Sequence, residues 1–209
     1  MRDVDMPSPD RLRPRWAAFA AVLAGRGPRW AEGAHASADA WHYDDGGGNW
    51  VDLCVTPVGH AVLVGHDHEY SETYFRDAAE YFEEQHTDLL AGTPAWWSAT
   101  IAPYLDDITG QGVWIGFIYG FDGSSWSRAD YDAEDGFSSL RLPFVSDERT
   151  VEQITMHLSR AAPGPELDVS AVQALVAAGP AVDRATLDAV FKGRELDAGA
   201  ALAAARGFA

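Results

Sequence analysis

Residues 65–75 read GHDHEYSETYF, which brings His66, Asp67, His68 and Glu69 together at the end of an apolar run. On an extended strand, positions i and i+2 share a face. Both imidazoles could then reach one divalent cation, with Glu69 beside them. A zinc or iron centre needs at least one further ligand. His42, Asp44 and His60 are the candidates, and none stands at a diagnostic spacing. The helical zinc-protease pattern of two histidines around a glutamate is absent. The competing reading makes this stretch a strand end followed by a polar turn. Ser71 or Thr73 then caps the next helix, and Glu69 and Glu72 favour its N-terminus. A metal-dependent enzyme using His66, His68, Glu69 and His42 is therefore the alternative reading. Apart from that divalent metal, no cofactor is expected.

Other constellations are weaker still. In DYDAEDG, Asp130, Asp132 and Glu134 take the offsets of a calcium loop. Its glycine comes one residue late, and Arg141 stands where a bidentate glutamate belongs, so a surface turn is expected. The glycine-rich DDGGGN lacks a phosphate-loop lysine and opens no helix. No G-x-S-x-G elbow occurs. Cys54, the only cysteine, lies in an apolar run and reads as a core residue. No catalytic residue is assigned.

These side chains must be positioned by a mixed set of elements. Leu12, Trp16, Phe19 and Leu23 recur at helical spacing before Gly25. Pro14 fits only a first turn, so that helix is expected to begin near Leu12. ADAWHYD, NWVDLCVT and HAVLVGH read as strands joined by DDGGGN and PVG turns, favouring an antiparallel meander. A helix is expected over ETYFRDAAEYFEEQHTDLLAG, with Tyr74, Ala78, Tyr81, Phe82 and Leu89 as its apolar stripe. A second follows Thr93–Pro94 and should end or kink at Pro103. QGVWIGFIYGFDG is the strongest strand signal. Its Gly116 and Gly120 suit close approach by a helix or a ligand. FSSLRLPFV is a candidate last strand, and Asp147 opens a helix. Adjacent Trp96 and Trp97 cannot both face one core, because successive helical residues diverge by about 100°.

The expected fold class is α+β: a mostly antiparallel sheet of five or six strands covered by helices. A main domain spans 1–162. After the AAPGPE linker, an alanine-rich helical appendage spans 163–209, capped at Asp168, Asp183 and Asp197.

The formal net charge is −17, and it is unevenly placed. Residues 31–140 hold 20 Asp and Glu against only Arg76 and Arg128, whereas the two ends together hold 12 acids and 13 bases. Direct nucleic-acid binding needs cationic surface and is not expected. No apolar run suggests a leader or a membrane span, so a cytoplasmic location without membrane contact is the expectation. An acidic face suits a basic protein partner, or imitates nucleic acid as an inhibitor. The candidate partner-binding residues are Asp44, Asp45, Trp50, Asp67, Glu69, Glu80, Glu83, Glu84, Trp97 and Trp126.

The order of elements in VGHAVLVGHDHEYSETYFRDAAEYFEEQHTDLL resembles the SUKH superfamily. There a strand ends in a polar, acid-containing turn, and a helix with sheet-packing aromatics follows. The resemblance spans residues 49–90. The glycine- and proline-marked segment that precedes the sheet in that family is not evident. The WIGFIYGFDGSSW hairpin and the alanine-rich tail are additions. Many SUKH-like proteins are immunity proteins that bind and block a toxin. The resemblance implies a binding module of that kind, with no catalytic residues to carry over.

Overall fold

Apolar residues along WVDLCV, AVLVGH and FIYGF leave almost no exposed position, and these three runs form adjacent central strands. The structure is a computed structural model that describes residues 1–110, 113–161 and 164–209. Within it the strands are β1 (Arg2–Val4), β2 (Ala34–Ala36), β3 (Trp41–Asp44), β4 (Trp50–Val55), β5 (Ala61–His66), β6 (Phe117–Phe121) and β7 (Trp126–Arg128). The helices are α1 (Pro9–Gly25), α2 (Pro28–Ala31), α3 (Asp77–Phe82), α4 (Ala95–Gly110), α5 (Phe137–Leu140), α6 (Asp147–Ala161), α7 (Val169–Ala178), α8 (Arg184–Val190) and α9 (Ala198–Arg206). The class is α+β with antiparallel strands. Among the described residues there are seven strands, the short β1, β2 and β7 among them. Gln111 and Gly112 of the expected strand, and Ala162 and Pro163 of the expected linker, lie outside the described residues. Among the described residues, no helix is long and apolar enough to cross a membrane.

The chain divides into two compact units, residues 1–8 with 44–141 and residues 9–43 with 142–209. In the first, five strands run in the order β1-β7-β6-β5-β4. Register places Leu53 opposite Leu63, and Leu63 opposite Tyr119. Thr56 N–H donates to His60 O (2.8 Å) to close the β4–β5 turn. Asp122 accepts three hydrogen bonds from Ser124 and Ser125 in the β6–β7 turn, which hold its carboxyl down at about 2. The indole N–H of buried Trp126 donates to Pro7 O (2.8 Å), and Arg2 pairs with Asp130 and Asp132. The DYDAEDG turn is thereby tied to the N-terminal strand.

Gly120 explains the small face of β6. A Cβ there would lie 2.0 Å from the Trp97 indole, so glycine is what lets α4 seat Trp97 on the strand. Trp97 is 1% exposed. Trp96, on the diverging side, packs against His60 instead (4.8 Å between rings). The helix continues past Pro103 to Gly110.

The second unit is built on α1. Its alanines, Ala17, Ala18, Ala20, Ala21 and Ala24, are all buried, and the alanine-rich α9 lies against it. Trp16 stacks on Phe144 (3.8 Å, 13°), meets Trp41 edge-on, and donates its indole N–H to His42 O. The three aspartate caps of the alanine-rich tail form as expected. Asp168 accepts from Ser170 and Ala171, Asp183 from Thr186, and Asp197 from Gly199 and Ala200.

Two expected elements are corrected. The long helix over residues 72–92 is reduced to α3, one and a half turns. Arg76 (φ 52°, ψ −123°) prevents an earlier start, and Glu83 (φ 55°) closes the helix in the left-handed region. Glu80 and Glu84 would repel at i, i+4 in any extension, as would Glu84 and Asp88. The expected strand FSSLRLPFV is instead α5 and a turn. Left-handed Gly136 and Arg141 bracket it, and Pro143 offers no ladder donor.

Substituting Gly120→Val should force Trp97 off β6 and destabilise the protein by about 2–4 kcal/mol. A urea-unfolding midpoint unchanged from wild type would contradict this packing.

Candidate protein-binding face

The histidine junction is a turn. Strand β5 ends at His66, opposite Trp50. Buried Asp67 then accepts the N–H groups of Glu69 and Tyr70 on Oδ1 (both 2.9 Å), bending the chain away from the strand axis. His68 therefore lies beyond the strand. Its N–H donates to Asn49 Oδ1 (2.8 Å), and its ring lies against Gly48. The i, i+2 same-face geometry that motivated a metal reading does not arise. Among the described residues, no group of three or more His, Cys, Asp or Glu is placed to hold a metal ion. His42 sits on β3 with its ring 4.8 Å from that of His35.

His66 is mostly buried, and its Nδ1 has no hydrogen-bond partner among the described residues. Burial pushes its pKa down to about 4; the Asp67 carboxylate opposes this and His68 adds to it.

The residues that follow are committed elsewhere. Ser71 Oγ donates to Asp135 O (3.1 Å), buried Thr73 donates to Gly116 O, and Glu72 N–H donates to Glu134 O (2.7 Å). Neither hydroxyl caps a helix. Asp135, also buried, accepts the phenols of Tyr119 (2.6 Å) and Tyr131 (2.8 Å) on Oδ2 and the N–H of Phe137 on Oδ1. Burial, then the neighbouring carboxylate, pushes both phenols well above the ordinary tyrosine value. An open concavity of about 710 Å³ lies nearby, lined by Tyr70, Glu134, Ser138, Ser139 and Arg141.

Pinned at Thr73, the chain makes an excursion whose ends are tied together. Thr87 N–H donates to Tyr74 O (2.8 Å), and Tyr74 N–H donates back to Thr87 Oγ1. Phe75, Ala78 and Leu89 anchor it in the core. On its outer side Tyr81 is 71% exposed and Phe82 46%. Their rings meet edge-on at 4.9 Å, and the Trp114 ring lies 5.1 Å from Tyr81 and 5.4 Å from Phe82. Tyr74 extends the cluster, 5.8 Å from Phe82. Asp77, Glu80, Glu83 and Glu84 on the same excursion are all exposed.

The sequence-derived candidates divide accordingly. Glu80, Glu83 and Glu84 lie beside the exposed aromatic cluster. Glu69 is exposed at the junction. Asp44 and Asp45 turn their carboxylates into their own hairpin loop, onto the N–H groups of Gly46 and Gly47. Trp50, Asp67, Trp97 and Trp126 are buried and present no side chain to a partner. The aromatics Tyr81, Phe82 and Trp114 were not among the candidates, because a helical stripe assigned the first two to the core. The adjacency of Tyr81 and Phe82 was the available signal, since neighbouring helical residues diverge just as Trp96 and Trp97 do.

No known family model matches the chain, and neither a curated protein nor a solved structure does.

Because the folded chain keeps His66 neutral down to about 4, while the unfolded chain takes up a proton near 6.5, the unfolded state binds more protons between those values. The stability from neutral His66 is therefore complete above pH 6.5 and is lost as the pH falls towards 4. His157, which burial and then Arg26 and Arg160 also push down to about 4, acts in the same sense. An NMR titration should place the His66 midpoint near 4. A midpoint near 6.5 would refute its burial.

Proposed function

We propose that this protein is an acidic binding module that engages a basic protein through its first unit. The observation that carries the reading is the partition of charge between the units. The first unit holds 20 Asp and Glu against Arg2, Arg76, Arg128 and Arg141, while the second holds 12 against 11 Lys and Arg. Arg2 and Arg128 are committed internally. Arg2 pairs with Asp130 and Asp132, and Arg128 stacks over Tyr131 and donates to its carbonyl. An acidic surface with so few cations repels acidic macromolecules and steers basic ones, raising the association rate at low ionic strength. The likeness of residues 49–90 to SUKH proteins adds that such a partner is a toxin, which the chain neutralises as an immunity protein.

The immobilised full-length chain should retain a specific basic protein from its native host's extract at about 50 mM salt and release it at about 500 mM. Recovery of no basic protein at the lower salt would refute the proposal.

A further inference from the structure

Within that reading, the geometry points to a particular docking centre. We propose that the aromatic cluster of Tyr74, Tyr81, Phe82 and Trp114 is where the basic partner inserts an apolar side chain, and that Glu80, Glu83 and Glu84 engage the arginines or lysines flanking it. The inference rests on the proposed function, but it commits to more than charge.

Three observations support it. First, Tyr81 and Phe82 are neighbours on a six-residue helix, and both project to solvent although they carry the apolar surface of a core stripe. Single exposed apolar residues are ordinary, whereas a contiguous cluster of large rings in mutual contact marks an interaction surface. Aromatic centres with a polar rim are the usual anatomy of a protein interface, and tyrosine and tryptophan dominate the energetics of such centres. Second, the cluster is held in place. The Tyr74–Thr87 hydrogen bonds close the excursion, Trp114 supports both rings, and Phe75 and Ala78 fix α3 from beneath. A preorganised surface loses little conformational freedom on binding. Third, strain collects here. Arg76 and Glu83, two of the three non-glycine residues with positive φ among the described residues, bracket α3. Strained backbone persists where the surroundings over-determine it, and it clusters at functional positions.

Charge complementarity selects the occupant. Asp77, Glu80, Glu83 and Glu84, all exposed, lie on the same short segment as Tyr81 and Phe82, and Arg76 is the only Lys or Arg on it, its guanidinium 5.2 Å from the Phe75 ring. An acidic or purely apolar partner would leave these carboxylates repelled or stripped of water without compensation. A partner with an apolar residue between cations satisfies both parts of the face.

Two synthetic peptides test this against the full-length chain. One is an amphipathic helix of about 18 residues with leucine on one face and arginine on the other. The other has the same length and charge, with serine in place of leucine. The Leu/Arg peptide should bind at least about tenfold more tightly than the Arg/Ser peptide. The double variant Tyr81→Ser, Phe82→Ser should abolish that difference and leave the salt-dependent affinity for Arg/Ser intact. The triple variant Glu80→Gln, Glu83→Gln, Glu84→Gln should weaken both peptides. Circular dichroism controls for folding, which these exposed positions should not disturb. Equal affinity for the two peptides, or an undiminished preference in the double variant, overturns the docking centre while leaving the acidic module standing. If neither peptide binds in a salt-dependent way, the module and its docking centre both fall.

Discussion

Hydrogen bonds from three side chains decide where the chain goes after β5, and the candidate face depends on them. Asp67 accepts two successive N–H groups and stops the strand, while Ser71 and Thr73 spend their hydroxyls on the carbonyls of Asp135 and Gly116. Held on those carbonyls, neither hydroxyl reaches the first turn of α3, which has no side-chain cap. The segment stays non-helical to Phe75, and helical geometry begins only after Arg76. What would have been a long helix with its stripe on the core becomes a short one on a tied excursion, with two aromatic rings outside. Buried polar groups of this kind hold only when satisfied. The same region meets that condition through Asp135, whose carboxylate takes both tyrosine phenols and a backbone N–H.

Charge and shape then reinforce each other. The first unit carries nearly all of the net negative charge, and its exposed rings lie on the same short segment as Asp77, Glu80, Glu83 and Glu84. In the proposed reading, long-range attraction would bring a basic partner close, but it discriminates poorly among cations. An aromatic centre supplies a short-range requirement for fit that charge alone does not impose. The second unit is nearly neutral and closes around Trp16, Phe144 and Trp41, with its helices capped by aspartates.

The elements legible in the sequence are those whose causes are local. Strands β4 and β5 follow from their own apolar runs and an intervening turn, and Asp168, Asp183 and Asp197 cap helices through N–H groups two or three residues away. The segment after Thr73 is not legible in this way because its partners are remote: Thr73 reaches across 43 residues and Ser71 across 64. No window of sequence reveals that a hydroxyl is already engaged. Glu80, Glu83 and Glu84 were visible as acids, but Tyr81 and Phe82 looked like core because a helical period fitted them. His66 and His68 would share a face only on a continuing strand, and Asp67 ends it.

Hydrogen exchange of the full-length chain, free and saturated with the Leu/Arg peptide, tests the central claim most directly. The account predicts that protection gained on binding concentrates in residues 76–84 and around Trp114, with the second unit unchanged. Protection confined to the second unit, or spread evenly over the acidic surface with none at α3, would contradict it.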